Sequence, residues 1–474
     1  MADRVISGRH LARLLGSWRT GAPAYIALAD AIRLLVLDGR LPLRTRLPGE
    51  RELAEALDLS RTTVTAAYAR LRDEGYVRSR RASGSWTSLP AGAAPPATVP
   101  LTPGGDVLDL AAAAPLAPLG GFGAAVTAAV AELPRYQCHH GHELLGLPPL
   151  REALAARYTA RGLPTEPDQI MVTNGGMSAL ALLFRLLLGP GDRVLVEHPT
   201  YANALVAITR ASGRPVPVGL TEDGWDLDMF EATLRQAAPR LAYLIADFQN
   251  PTGHLMPEAT RAAVAELAAR TRTPLVVDET LAELLLDPGP MPPPVAAYHP
   301  SVITIGSASK SYWGGLRLGW IRAPRDLIDR LAGVRPSLDL GSPILEQLIC
   351  TELTRHGDAA LRDRRAQLAA QRDTLVAAVR DLLPEWRFTV PRGGLSLWID
   401  LGAPVSTALA VAAERYGLRL AAGPLFGMDG AFARYLRLPY TLPEETLAEA
   451  TERLATAYRS VAACHVPSAP VALA

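Results

Sequence analysis

Apolar residues recur at helical spacing over positions 26–38, where Ile26, Ala29, Ile32, Leu35 and Val36 fall on or near one face and Gly39 ends the run. Leu47-Pro48-Gly49 leads into a second short helical pattern at 50–57. The turn Asp58-Leu59-Ser60 follows and sets Ser60 as the N-cap of a third helix, 61–74, stopped by Gly75. Val64, Tyr68 and Leu71 share the inner face of that helix. From Tyr76 to Trp86 the pattern shortens to alternation, with a basic tip and Gly84 on the return, as a two-stranded wing requires. Helix, tight turn, helix and wing predict a winged helix-turn-helix over residues 1–88.

Farther along, short apolar runs at 169–173, 193–197, 241–247, 274–278 and 302–306 read as buried strands. Helical patterns such as 176–188 and 257–270 lie between them, the alternation of a largely parallel α/β sheet. From about residue 342 a long helix precedes strands around 388–401 and 435–438, which predicts a smaller C-terminal α+β subdomain. Residues 89–106 are rich in Pro, Ala and Gly and poor in large apolar side chains, so they read as a linker between the head and a body spanning 107–474.

With 49% hydrophobic and 20% charged residues, the chain is a folded protein rather than a disordered or fibrous one. No apolar run approaches the roughly 20 residues needed to span a bilayer; the best stretch, 179–188, is broken by Arg185. Arg4, Arg9, Arg13 and Arg19 leave no signal-peptide pattern, so the expectation is a cytoplasmic protein without membrane insertion. Cys138, Cys350 and Cys464 are widely spaced and read as free thiols. The formal net charge of +1 conceals an asymmetry: residues 1–88 carry +6 and the remainder −5. A basic module on an acidic body points to a polyanion as partner of the first.

All but one of the 48 Lys and Arg residues are arginine; the exception is Lys310. Arginine cannot replace a lysine that must shed its proton and form a Schiff base. Lys310 follows Ser307 and Ser309 and precedes Arg317, hydroxyls and a guanidinium able to hold a phosphate beside a reactive amine. Upstream, Thr173-Asn174-Gly175-Gly176 ends a strand and starts a helix, where backbone amides suit a phosphate. Tyr201 could stack on a ring or belong to the core, Asp278 could pair with a ring nitrogen or cap a helix, and Arg437 could clamp a carboxylate or lie at the surface. Asn250 puts an amide in a loop after a strand.

The motifs Pro48-Gly49-Glu50-Arg51-Glu52-Leu53-Ala54, Ser60-Arg61-Thr62-Thr63-Val64 and Leu71-x-x-x-Gly75-Tyr76 resemble the GntR family of bacterial winged-helix regulators. By that resemblance Arg51, Ser60, Arg61, Thr62, Thr63 and Gly84 are contacts to double-stranded operator DNA. The order and spacing of the later motifs resemble the fold-type I aminotransferases from about 107 to 460, and both together resemble the MocR subfamily of regulators. Val277-Asp278-Glu279-Thr280 and Trp313-Gly314-Gly315-Leu316-Arg317 are most similar to its YczR-like branch. The resemblance implies pyridoxal 5'-phosphate as cofactor, with Lys310 as the catalytic lysine of its internal aldimine. It assigns cofactor binding to Gly175, Gly176, Tyr201, Asn250, Asp278, Ser307, Ser309 and Arg317, and the effector or substrate carboxylate to Arg437. It also implies a head-to-tail homodimer. Two features depart from the family: Thr280 and Leu281 stand where many members have a tyrosine, and Gly176 where a hydroxyl is common.

Cys138-His139-His140-x-His142 has spacings unsuited to a tetrahedral metal site, so no metal is expected and an imidazole role in effector recognition is the functional option. The resulting expectation is a DNA-binding transcriptional regulator that senses an amino compound or pyridoxal phosphate. The competing expectations are a working aminotransferase with an accessory DNA-binding domain, and a regulator that has kept the fold without the cofactor; retention of a single lysine argues against the last.

Overall fold

A computed structural model of the chain describes residues 4–463 apart from 17, 20–22, 38–39, 44, 81–83, 89–106 and 118–119. The linker read at 89–106, the helix stop at Gly39, the tip of the wing and Cys464 lie outside the described residues. The head opens with strand β1 (Arg4–Val5) and helix α1 (Gly8–Leu15), then α2 (Ala24–Leu37), β2 (Thr45–Arg46), α3 (Glu50–Leu57), α4 (Arg61–Asp73), β3 (Val77–Arg80) and β4 (Gly84–Thr87). Its sheet runs in the order β1-β2-β4-β3. Ile32, Leu53, Val64, Tyr68 and Leu71 are buried in one core, the positions that the helical spacing puts on inner faces.

The body begins with β5 (Leu108–Leu110), α5 (Phe122–Glu132) and α6 (Pro148–Ala160). Next come β6 (Ile170–Thr173), α7 (Gly176–Leu187), β7 (Arg193–His198), α8 (Ala202–Arg210), β8 (Arg214–Thr221), β9 (Gly224–Trp225), α9 (Leu227–Ala237) and β10 (Leu241–Leu244). The lobe is completed by α10 (Glu258–Arg270), β11 (Leu275–Asp278), β12 (Ile303–Ser307), α11 (Ala308–Ser311), β13 (Gly319–Arg322), α12 (Arg325–Val334) and α13 (Ile344–His356). Its eight-stranded sheet has the order β6-β13-β12-β11-β10-β7-β8-β9. Strands β8, β7, β10, β11 and β12 are mutually parallel, whereas β13 is antiparallel to both neighbours. Strands β6, β10, β11 and β12 are buried along their whole length, which explains their unbroken apolar runs: helices cover both faces. The run read as a strand to residue 247 pairs only as far as Leu244.

The small lobe holds α14 (Asp358–Leu382), β14 (Ser396–Asp400), α15 (Ser406–Ala413), β15 (Leu418–Ala422), β16 (Tyr435–Pro439) and α16 (Glu444–Ala463). Its sheet has the order β14-β16-β15-β5, so the first strand of the body is borrowed as a parallel edge beside β15. The packing changes lobes between α13 and α14, later than the residue 342 read from the sequence. Leu348, Ile349 and Leu353 of α13 join the core against α5 and α6, while Leu361, Leu368 and Leu375 of α14 join that of the small lobe. Among the described residues no helix is long and apolar enough to cross a membrane.

Candidate functional site

Lys310 lies on α11, whose N-cap is Ser307: this hydroxyl accepts from Ser309 N at 3.2 Å and donates to Leu318 O at 3.2 Å. The short helix is thereby fixed to the segment leading into β13. Lys310 Nζ donates to Ala113 O at 2.7 Å, reaching the stretch that joins the two lobes. Burial, assisted by the positive charges of Arg437 and Arg317 and opposed by Asp278, brings the amine from 10.5 down to about 8. A lysine that sheds its proton that close to neutrality is a nucleophile.

Asp278 ends β11 at the carboxyl edge of the sheet, where open α/β sheets bind ligands. Its Oδ2 accepts from Tyr243 OH at 2.8 Å and its Oδ1 from Thr280 N at 2.9 Å. Burial raises its carboxyl above the ordinary range, and these donors act against the rise. Tyr243 escaped the sequence reading because it passes for one more apolar position in a buried strand. Its signal was the hydroxyl, which in such a place must find a partner.

Beside Asp278 lies the turn between β6 and α7. Gly175 has φ +90°, and a Cβ there would meet Arg317 Nη2 at 2.9 Å. A Cβ on Gly319 would fall 2.6 Å from Gly175 C and 2.7 Å from Gly176 N, so the bare edge of β13 is what lets this turn settle against it. A Cβ on Gly176 would meet Thr280 Cγ2 at 3.3 Å and Ser307 Cβ at 3.9 Å, which places those side chains at the same turn. Helix α7 starts without a side-chain cap. Open amides at a helix start with a guanidinium against them suit a phosphate.

Arg437, on β16, is 6% exposed. Its Nη1 donates to Asn250 Oδ1 at 3.3 Å and its Nη2 to Ala111 O, while Nε is buried with no partner. Burial lowers the group to about 10. Its guanidinium lies 4.8 Å from the Phe426 ring centre. A buried cation with an open N–H is ready for a carboxylate. Tyr201, at the start of α8, accepts from Asn203 Nδ2 at 2.9 Å; burial raises its phenol, and the charges of Asp278, Arg437 and Arg317 all reach it. Beneath it, Glu197 receives N–H groups from Trp225 (2.7 Å), Ile245 (3.1 Å) and Gln249 (3.1 Å). Gln249 also donates to Pro199 O at 2.8 Å and accepts from Thr252 N at 3.0 Å, so this buried carboxyl group, pushed up to about 8 by burial, ties the loop of Tyr201 to the loop of Asn250. Its signal in the sequence was a lone acid ending an apolar strand.

The structure thus brings Gly175, Gly176, Tyr201, Asn250, Asp278, Ser307, Lys310, Arg317 and Arg437 to one crevice. Ser309 contributes its N–H to Ser307. His139, His140 and His142 stand apart: all three are exposed, and the Nδ1 atoms of His139 and His140 accept amides of their own loop. Among the described residues no cluster of His, Cys, Asp or Glu could hold a metal.

In the head, Ser60 Oγ accepts from Thr63 N at 3.1 Å and bonds the hydroxyls of Thr62 (2.7 Å) and Thr63 (2.8 Å). Arg61 is exposed and its Nε lies 3.6 Å from Glu50 Oε2, so the starts of α3, with exposed Arg51, and α4 converge. Gly84, with φ +112°, begins the return strand of the wing against Arg46. Head and body touch at Arg40, whose Nη1 donates to Leu14 O at 3.2 Å and Asp429 O at 2.8 Å. The loop carrying Asp429 also sends Met428 N to His198 Nε2 at 3.1 Å and seats Phe426 against Arg437.

As a class, this is a winged-helix DNA-binding head joined to an aminotransferase-like body. The family of aminotransferases of class I and II matches residues 106–454, and the gntR family of bacterial regulatory proteins matches residues 24–86. The chain therefore belongs to the class I and II aminotransferase family and bears a GntR head, a MocR-like architecture. It is 32% identical to the 2-aminoadipate transaminase of Thermus thermophilus over 67% of this chain and 81% of that one. It is 29% identical to the probable rhizopine catabolism regulatory protein MocR of Rhizobium meliloti, over 77% of this chain and 78% of that one. Among solved structures, the α-aminoadipate aminotransferase LysN of Thermus thermophilus, complexed with N-(5'-phosphopyridoxyl)-L-leucine, superposes with a TM-score of 0.69 at 28% identity, covering 76% of this chain and 94% of that one.

Proposed function

We propose that the chain is a transcriptional regulator whose body binds pyridoxal 5'-phosphate at Lys310 and senses an amino compound, or the cofactor itself, altering how its head engages operator DNA. The observation that carries this reading is a sole lysine, brought to about 8, in a crevice with a bare helix start for a phosphate and an open guanidinium for a carboxylate, on a chain headed by a GntR module. The residues fit the cofactor. The α7 turn with Arg317 would hold its phosphate, Asp278 its ring nitrogen, Tyr201 its ring face and Asn250 its phenolic oxygen, leaving Arg437 for the carboxylate of an amino acid. When bound, the cofactor supplies an aldehyde that condenses reversibly with amines and a ring that withdraws electrons.

The contact between Arg40 and the loop of Asp429 offers a physical route from crevice to head, because the same loop packs on Arg437 and His198. A ligand shifts the head only to the extent that it binds the two arrangements differently. The test is an absorbance titration of purified protein with candidate amines, with and without operator DNA. Visible absorbance that is lost on Lys310→Ala, and an amine midpoint that moves when DNA is present, are the expected results. A protein without such a band, or an amine response indifferent to DNA, would overturn the reading.

A second reading, amino-group transfer as the main activity, draws on the complete set around Lys310 and on the similarity to the Thermus transaminase. Thr280 and Leu281, in place of a tyrosine, remove one hydroxyl from the cofactor's surroundings. Sustained turnover of an amino acid with a keto acid would establish that reading.

A further inference from the structure

The gntR match begins at residue 24, yet the head also includes β1 and α1, which precede it. Strand β1 lies parallel to β2, pairing Arg4 with Thr45 and Val5 with Arg46, and so adds an outer strand to the winged sheet on the side away from β3. Helix α1 is capped by Ser7 and buries Leu11 and Leu15 in the core of the head. Gly8 sits tight on α3: its N–H donates to Glu52 Oε1 at 2.6 Å, and an added Cβ would be 2.9 Å from Glu52 O. The segment is structurally part of the head, in a fixed position.

That position matters because of what it borders. A cleft of about 860 Å3 opens between α1 and the wing, walled by Ser7, His10 and Arg13 on one side and by Arg46 and Gly84 on the other, with the start of α3 as its floor. Glu50, in that floor, also holds Arg61 Nε at 3.6 Å and Thr65 Oγ1 at 2.9 Å, so the cleft adjoins the first turn of α4. The two acids lining it are already engaged, Glu52 by the Gly8 amide and Glu50 by Arg61 and Thr65. Its arginines are not held by an acid. Among the described residues neither Arg13 nor Arg46 has a carboxylate within salt-bridge distance; Arg13 Nη2 faces His10 Nδ1 at 3.3 Å, and Arg46 lies 6.0 Å from the Trp86 ring centre.

We propose that the β1–α1 segment extends the DNA-binding face: His10, Arg13 and Arg46 hold the sugar–phosphate backbone of duplex DNA flanking the bases met by α4. This rests on the reading that α4 and the wing bind DNA. The occupant is a duplex rather than a small anion, because the cleft is open, its cations come from two separate elements, α1 and β2, and it borders the wing at Gly84 and, through Glu50 and Arg61, the start of α4. Such contacts position the protein and carry no sequence information.

The full-length protein is titrated against a fluorescent duplex of about 30 base pairs of mixed sequence, from low to moderate salt. Each lost phosphate contact lowers the log–log salt slope by about 0.9. The double variant His10→Ala, Arg13→Ala should lower it by about one to two, with the melting temperature kept, and Arg13→Lys should restore most of it. A merely structural role of Arg13 would not be rescued by a point charge. Arg9→Ala, on the same helix but outside the cleft, should leave the slope unchanged. A slope unmoved by the double variant while Arg61→Ala lowers it refutes the proposal and spares the reading of α4. Absence of salt-dependent binding by the unaltered protein refutes both.

Discussion

Replacing Arg437 with methionine removes a buried positive charge that acts on Lys310, and the consequence can be worked out from the amine's own ionisation. With the amine at about 8, roughly a quarter of it is neutral at pH 7.5; at its ordinary 10.5 only about one part in a thousand would be. Burial is the largest cause of the lowering and Arg437 the next, so its loss should return only part of it, raising the amine by roughly half to one pH unit. The neutral fraction at pH 7.5 then falls about three- to eightfold. The assay is the rate at which cofactor-free protein takes up pyridoxal phosphate, followed by absorbance between pH 7 and 10.5. Wild type should show a midpoint near 8, Arg437→Met a higher one, and the two rates should converge at the alkaline end. Asp278→Asn should move the midpoint the other way, since the carboxylate favours the ammonium. A wild-type midpoint above 10, or the same direction of shift in both variants, would refute the electrostatic account of Lys310.

The same depression has a thermodynamic sign: between about 8 and 10.5 the unfolded chain holds the Lys310 proton more tightly, so cofactor-free protein should gain stability as pH rises through that window, by at most about 3 kcal/mol. Denaturant midpoints should show this gain relative to Lys310→Met, which lacks it. Ser60→Ala deletes the cap of α4 and frees the hydroxyls of Thr62 and Thr63, so it should destabilise the head by about 1 kcal/mol and weaken DNA binding, read by urea unfolding and anisotropy. Arg40→Ala should leave DNA binding and cofactor uptake each near the wild-type level while shrinking the effect of one on the other, read by repeating the amine titration with and without operator DNA.

Much of this was readable in advance because two periodicities do most of the local work. The head shows helical spacing closed by a cap at Ser60, and the body shows strands buried on both faces, whose apolar runs stand out unaided. Asp278 was conspicuous as a polar residue at the end of such a run, Lys310 as the sole lysine of the chain, and Arg317 by its place seven residues beyond it. What stayed hidden depends on contacts distant in sequence. Tyr243 becomes polar machinery only when β10 lies beside β11. Gly319 matters only because the turn at Gly175 comes down on it. Strand β5 is three residues long and joins the small lobe some 300 residues later, which no local pattern announces. Helix α13 reads like α14, and only its packing against α5 and α6 assigns it to the other core. The arginine-studded N-terminus argued against a signal peptide, but its burial of Leu11 and Leu15 is a tertiary fact.

A protein with a single lysine also carries a built-in label. Isotope supplied as lysine enters the chain once, so a magnetic-resonance spectrum filtered for it contains the side-chain signal of Lys310 and no other, without mutagenesis or assignment. The chemical state of the crevice could then be followed inside an assembled complex on DNA, where crowded spectra and overlapping absorbance defeat most other probes. A lysine-specific protease has likewise one place to cut the unfolded chain, and once borohydride has reduced any imine to a stable secondary amine, the uncut fraction would count the molecules whose amine was covalently occupied.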